Sequence, residues 1–281
     1  MIIWIASYPK SGNTWVRALI SSYYFSKNKF NFSDLNKIPN FSIGNFINDD
    51  QQIKNNLDVA KQWLGVQRLI NKNYKKTLFF KTHNACAALN EHLFTDSNNT
   101  AGCIYVVRDP RNIITSYKNF EKKSYKEILN HMTDKEAFLF SDKSLKRENG
   151  FEGFEFIGSW MGNYNSWVHN KLNIPICIVR YEDLIHDTLG EFKKIIKFIA
   201  NVQRIKNYTF NKKKGEKAVN ESTFKNLSKM EVNKGFEEAR TDQKFFNLGE
   251  NNNWKNFLPL SIKERIEKNF YHEMKELKYL D

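Results

Sequence analysis

Four short, unbroken apolar stretches punctuate the chain, at residues 2–6, 78–80, 104–107 and 176–179. Continuous runs of this length, without alternation of apolar and polar positions, predict strands covered on both faces, as in a parallel sheet. Between and after them apolar residues recur at helical spacing. Trp15, Leu19 and Tyr23, with Val16 and Ile20 beside them, predict an amphipathic helix directly after the first strand. Ile157, Trp160, Met161, Tyr164 and Val168 predict another before the fourth strand, and residues 191–200 and 260–271 read as further helices. This order of strand, helix, strand, helix predicts an α/β fold: a three-layer sandwich around a central parallel sheet, its ligand at the carboxyl ends of the strands. Residues 28–56, 118–149 and 211–253 are rich in Lys, Asn and Ser and are expected to be irregular, as lids, substrate-contacting loops or plain insertions. No repeat and no Pro/Gly/Ser linker divides the sequence, so one domain over residues 1–281 is expected.

Charge widens the choice of partners. A formal net charge of +13 favours nucleotides, nucleic acid or a membrane surface, and a solvated lysine- and asparagine-rich surface accounts for it equally well. Cysteine narrows the choice. Cys86, Cys103 and Cys177 show no CxxC spacing and no clustering with histidine, so neither a disulfide framework nor a zinc site is suggested. Cys103 and Cys177 lie in apolar runs and are expected to be buried, which suits a reducing cytoplasm. The apolar residues 1–7 are followed at once by Tyr8-Pro9-Lys10, without the flanks of a signal peptide, and no run approaches the ~20 apolar residues of a membrane span. A soluble, cytoplasmic protein without a transmembrane segment is expected.

Chemistry concentrates at three predicted strand ends. Between the first strand and first helix stands Tyr8-Pro9-Lys10-Ser11-Gly12-Asn13-Thr14-Trp15. A loop that opens a helix offers free backbone N–H groups and the positive end of the helix dipole, which suit a phosphate. The Walker pattern is absent, so this is a phosphate loop of another kind or an ordinary capped βα turn. After the third strand comes Arg108-Asp109-Pro110-Arg111, then Ser116; Asp109 as N-cap with Pro110 behind it predicts a helix start. Arg108 then faces either a phosphate or a neighbouring carboxylate. After the second strand comes Lys81-Thr82-His83, where a histidine can take a proton from an attacking hydroxyl or serve as a hydrogen-bonded structural group.

Taken together, these residues resemble the cytosolic-type sulfotransferases that use 3′-phosphoadenosine 5′-phosphosulfate (PAPS), from residue 2 to about residue 257. The family's YPKSGTTW loop stands here as Tyr8–Trp15 with Asn13 for a threonine, its Lys-x-His as Lys81 and His83, and its arginine with a serine eight positions later as Arg108 and Ser116. Less specific are Tyr181-Glu182-Asp183-Leu184 for YEDL, Ser222-Thr223-Phe224 with Met230 for the adenine-side segment, and Gly249 with Trp254-Lys255-Asn256 for RKGxxGDWKN. Asn247 and Leu248 replace the Arg-Lys of that last segment, and Asn252 and Asn253 its Gly-Asp.

The resemblance implies a nucleotide-binding fold like that of P-loop proteins and a metal-independent, in-line transfer of a sulfuryl group to a hydroxyl or amine of a small-molecule acceptor. It implies His83 as base, Lys10 stabilising the leaving oxygen and Lys81 supporting the transferring group. Ser11, Gly12, Asn13 and Thr14 would hold the 5′-phosphate, and Arg108 and Ser116 the 3′-phosphate. Trp15, Tyr181 and Phe224 would enclose the adenine, with Gly249 in the closing segment and PAP as product. Apart from the resemblance, Arg240, favoured for its bidentate fork, or Lys244 is placed to replace the missing basic pair, and solvated surface charges account for both equally well. Two rival readings are a nucleotide-dependent phosphotransferase, against which the missing GK[ST] counts, and a basic nucleic-acid binder, for which no zinc-finger or RNP-like motif speaks. The aromatic residues in 151–167 fit either an acceptor pocket or the core. The acceptor itself and the oligomeric state are not written in the sequence.

Overall fold

The structure is a computed structural model in which residues 1–46, 53–140, 154–239 and 244–281 are described. In chain order its strands are β1 (Ile2–Ser7), β2 (Leu78–Thr82), a small hairpin of β3 (Ala88–Leu89) and β4 (His92–Leu93), β5 (Thr100–Val107), an antiparallel pair of β6 (Phe138–Leu139) and β7 (Glu155–Phe156), and β8 (Ile176–Arg180). β1, β2, β5 and β8 form one parallel sheet in the order β2-β1-β5-β8. These are the four apolar runs. Their continuous hydrophobicity has the expected cause: along β1, Ile2, Trp4 and Ala6 enter the core on one face while Ile3 and Ile5 enter the core on the other. β8 departs from this, because it lies at the sheet edge, where Ile178 is 41% exposed.

Helices cover both faces and make the three layers. One face carries α1 (Asn13–Tyr24), α7 (Thr188–Val202) and α8 (Lys212–Glu221), whose Val16, Ile195 and Ala218 share a core with Ile3 and Ile5. The other carries α2 (Asn56–Asn73), α3 (Pro110–Glu121), α4 (Tyr125–Thr133), α5 (Trp160–Val168) and the C-terminal helices α11 (Leu260–Asn269) and α12 (Tyr271–Glu276). Trp160, Tyr164 and Trp167 of α5 are fully buried in that core, so this aromatic stripe is packing and not an acceptor pocket; Phe151 lies outside the described residues. The remaining helices are α6 (Tyr181–His186), α9 (Phe224–Lys234) and the short α10 (Trp254–Phe257).

Two expectations require correction. Residues 211–253 are not simply irregular, because α8 and α9 occupy much of them. α8 buries only Gly215 and Ala218 beneath a lysine-rich surface, too sparse a pattern for helical periodicity to register. In the 118–149 stretch, α3 runs on to Glu121 and α4 follows, opened by a capping box between Ser124 and Glu127; residues 141–149 lie outside the described residues. Residues 28–56 keep an irregular course, with two 3₁₀ turns at Phe32–Lys37 and Ile43–Asn45, apart from residues 47–52, which are also outside the description.

Candidate active site

The carboxyl ends of β1, β2 and β5 and the start of α6 face one cleft of about 820 Å³. Lys10, Gly12, Asn13, Thr14, Trp15, Lys81, His83, Arg108, Ser116, Tyr181, Phe224 and Gly249 all contribute to its lining. Ser11, expected to help hold the 5′-phosphate, is not on the wall; it is fully buried, and its hydroxyl has no hydrogen-bond partner.

The β1–α1 loop is shaped by two left-handed residues, Lys10 at φ 65° and Gly12 at φ 102°. At Gly12 only glycine fits on two counts: that φ disfavours any side chain, and a Cβ would come within 2.6 Å of the Tyr181 ring. Gly12 is also the N-cap of α1, and no side chain caps the helix, so its first N–H groups are presented toward the cleft. The Asn13 side chain turns the other way, its amide donating to the Ile5 carbonyl at 2.9 Å and the Ser7 hydroxyl at 3.2 Å. Asn13 can therefore serve a ligand through its backbone only. The Lys10 ammonium lies 4.0 Å from the Phe120 ring centroid and 4.2 Å from that of Phe245. Enclosure between these walls and the nearby Arg108 charge pull the Lys10 pKa down to about 7, although Glu238 and Glu121 oppose them.

At the end of β2, His83 directs Nδ1 at the Ser7 carbonyl oxygen, 2.7 Å away. A carbonyl only accepts, so Nδ1 carries the proton and Nε2 is left as the basic nitrogen. Burial, and then the Lys81 charge, hold the imidazole well below its usual pKa, so it is neutral near pH 7. Glu155 of β7, which the sequence reading passed over, accepts hydrogen bonds at Oε1 from the Thr82 hydroxyl and the His83 backbone N–H.

At the end of β5, Asp109 caps α3 as expected, accepting from Arg111 N–H at 2.9 Å with Pro110 at the first helical position. Arg111 is committed to Asp109 and Glu267. Arg108 is not. It donates to the Lys10 carbonyl at 3.2 Å and stacks 4.1 Å over the Tyr181 ring, and its buried Nε has no partner. Trp15 meets Tyr181 edge-on at 5.6 Å, and Gly249, at φ 53°, lets the Phe224 ring approach where a Cβ would meet it at 2.7 Å. Ser116, one helical turn beyond Asn112, completes this wall.

The segment leading to Trp254 is stitched to α3, with Asn252 donating to the Asn112 carbonyl at 2.8 Å and Trp254 N–H donating to the Asn112 side chain at 2.9 Å. Lys244, Asn247 and Leu248 of this segment reach the cleft; Arg240 lies outside the described residues. Glu238 was not anticipated either. Its carboxylate accepts from the Thr14 hydroxyl at 3.4 Å and pairs with Arg17, and although burial alone would raise its pKa, Arg17 and Lys81 bring it down to about 2. A chain-borne anion thus sits on one of the groups expected to meet a phosphate.

The family model described as the sulfotransferase domain matches residues 2–278. The chain belongs to the sulfotransferase family. As a sulfotransferase it is similar to flavonol 3-sulfotransferase of Flaveria bidentis, 26% identical over 286 residues that cover 95% of this chain and 79% of the relative. It is also similar to sulfotransferase 1E1 of Rattus norvegicus, 25% identical over 282 residues that cover 97% of this chain and 83% of the relative. The solved structure of mouse sulfotransferase SULT7A1 complexed with PAP shares the fold, with a TM-score of 0.61 at 16% identity, over 97% of this chain and 83% of that one. The α/β fold around a parallel sheet is therefore the sulfotransferase fold, and the protein is an enzyme of sulfuryl transfer. Among the described residues no helix is long and apolar enough to cross a membrane.

Proposed function

We propose that the donor is PAPS, seated along the cleft, and that His83 is the base that activates the acceptor. The observation that carries this reading is the convergence on one cleft of an uncapped helix start, an arginine with an unclaimed buried Nε, and a neutral histidine whose Nε2 is basic. The buried Arg108 Nε, a polar group without a partner on a residue of the cleft wall, fits a phosphate-bearing ligand, since such a group costs free energy when its hydrogen bond is left unmade.

PAPS supplies an activated sulfuryl group on a phosphosulfate. On this reading the N–H groups of Gly12, Asn13 and Thr14 hold the 5′-phosphate, Arg108 and Ser116 hold the 3′-phosphate, and Lys244 adds the positive charge that Asn247 and Leu248 no longer provide. Trp15, Tyr181 and Phe224 flank the adenine. His83 Nε2 takes the acceptor's proton as the new bond to sulfur forms. Lys10 steadies negative charge on the departing bridging oxygen, and Lys81 stands beside the transferring group. The acceptor is a small molecule with a hydroxyl or amine, and the cleft offers it an apolar wall of Tyr117, Leu139 and Phe140. A similar protein named for flavonols is consistent with an aromatic hydroxyl.

Titration with PAP, ATP and an oligonucleotide tests the donor, and PAP is expected to bind tightest; tight ATP binding with weak PAP binding would transfer the reading to phosphotransfer. A screen of phenols, alcohols, amines and sugars with radiolabelled PAPS then finds the acceptor. With it in hand, His83→Ala is expected to lower kcat by ~10²–10⁴ while PAP affinity stays within a few-fold of the parent. Retention of more than about a tenth of the rate would remove His83 from the mechanism.

A further inference from the structure

The peptide units around His83 are held from two directions by residues of no assigned role. Glu155 takes the His83 backbone N–H and the Thr82 hydroxyl on one oxygen. Asn163 of α5 donates its amide to the His83 carbonyl at 3.0 Å and to the Ile157 carbonyl at 2.9 Å, while its own oxygen receives the Tyr105 hydroxyl at 2.9 Å. With the Ser7 carbonyl on Nδ1, His83 is fixed at three points: backbone N–H, backbone C=O and ring.

Glu155 is 2% exposed and Asn163 fully buried. Burying a carboxylate is expensive, and a neutral acceptor would satisfy the same two donors. Burial pushes the Glu155 carboxyl above its usual pKa, and Lys81, on the strand that carries His83 into the cleft, opposes this by favouring the carboxylate. We infer that Glu155 is the positioning residue of the His83 base, its carboxylate fixing the strand exit through the His83 N–H and balancing the Lys81 charge beside the imidazole. This inference rests on the reading of His83 as base. Asn163 completes the clamp from α5.

The charged groups that bear on the imidazole are Lys81 from β2, Arg17 from α1 and Glu238 from the segment after α9. Lys81 and Arg17 disfavour its protonated form and Glu238 favours it. Glu155 is tied to the same residue by geometry, through its bond to the His83 backbone N–H, and Lys81 favours its ionised form. A negative charge this close to the imidazole favours its protonated form, so removing it is expected to push the imidazole further from protonation.

Nitrogen NMR of histidine-labelled, full-length protein reads this without any acceptor, and His83→Ala identifies the His83 signals among six histidines. The parent is expected to show the tautomer protonated at Nδ1 with a titration midpoint well below the usual histidine value. Glu155→Gln keeps an acceptor oxygen and loses the charge, so the tautomer should stay and the midpoint should fall by roughly half a unit to one unit. Glu155→Leu loses both, and the signal should split between tautomers while PAP affinity stays within about twofold. An unmoved midpoint in Glu155→Gln overturns the inference. So does an unmoved tautomer in a folded Glu155→Leu, or a loss of PAP affinity accompanying its change; if that variant does not fold, Glu155→Gln alone decides. A His83→Ala enzyme that still transfers sulfuryl groups would instead strike the base reading, whatever Glu155 does.

Discussion

A lysine held near pKa 7 inside an anion cleft cannot bind its ligand without exchanging protons with the solvent. Lys10 is pulled down by enclosure and by Arg108, and a bound phosphate reverses the second effect, restoring the charged form. The sign follows: above pH 7 the free protein is mostly neutral at Lys10, so PAP binding takes up protons, nearly one per site at pH 8 and fewer at pH 6. Calorimetry in buffers of different ionisation enthalpy measures this, and Lys10→Arg, which stays charged, should abolish the uptake at pH 8. No uptake in the parent would mean that Lys10 is charged before the ligand arrives. Residues of this kind were legible because the loop, Lys81 with His83, and Arg108 with Ser116 are short local patterns. Glu155 and Glu238 were not, because each reaches its partner across a long stretch of chain, 72 positions from Glu155 to His83 and 224 from Glu238 to Thr14.

The joint between β1 and α1 shows what an element needs beyond its own periodicity. Asn13 stands where the resembling motif has threonine, and its amide ties the helix start back to Ile5 and Ser7. Asn13→Ala leaves the Ile5 carbonyl one donor short, at a cost of about 1–3 kcal/mol read by chemical denaturation. PAP affinity should change little among folded molecules, because this side chain faces the strand; a large affinity loss at unchanged stability would show that it meets the ligand. The strands themselves were plain in the sequence, since each run is apolar throughout. That β8 is an edge was not, because a run's composition does not tell which neighbour is missing. α8 and α9 escaped notice for the opposite reason: they bury little beyond Gly215, Ala218, Leu227 and Glu231, so propensity and capping define them more than an apolar stripe. The C-terminal helix expected over 260–271 is two helices that meet at Phe270, a buried residue capping one and opening the next.

At the scale of the whole molecule, the carboxylate of Glu238 joins the segment after α9 to the start of α1 through Thr14 and Arg17. A donor entering the cleft on the proposed path has to dislodge a competitor that is part of the chain, and dilution cannot remove it. Apparent affinity is reduced by the fraction of molecules in which the contact is open, so Glu238→Gln should tighten PAP binding by about three- to tenfold. Unchanged or weaker binding would show that Glu238 does not compete. The same contact bears on the end of the cycle. Once sulfuryl transfer is over, Glu238 is positioned to reclaim Thr14 and Arg17 as PAP loosens, and so to hasten its departure. Where product release limits turnover, the Gln variant should bind PAP better and work more slowly, its gain in affinity appearing as a longer residence time of the spent nucleotide.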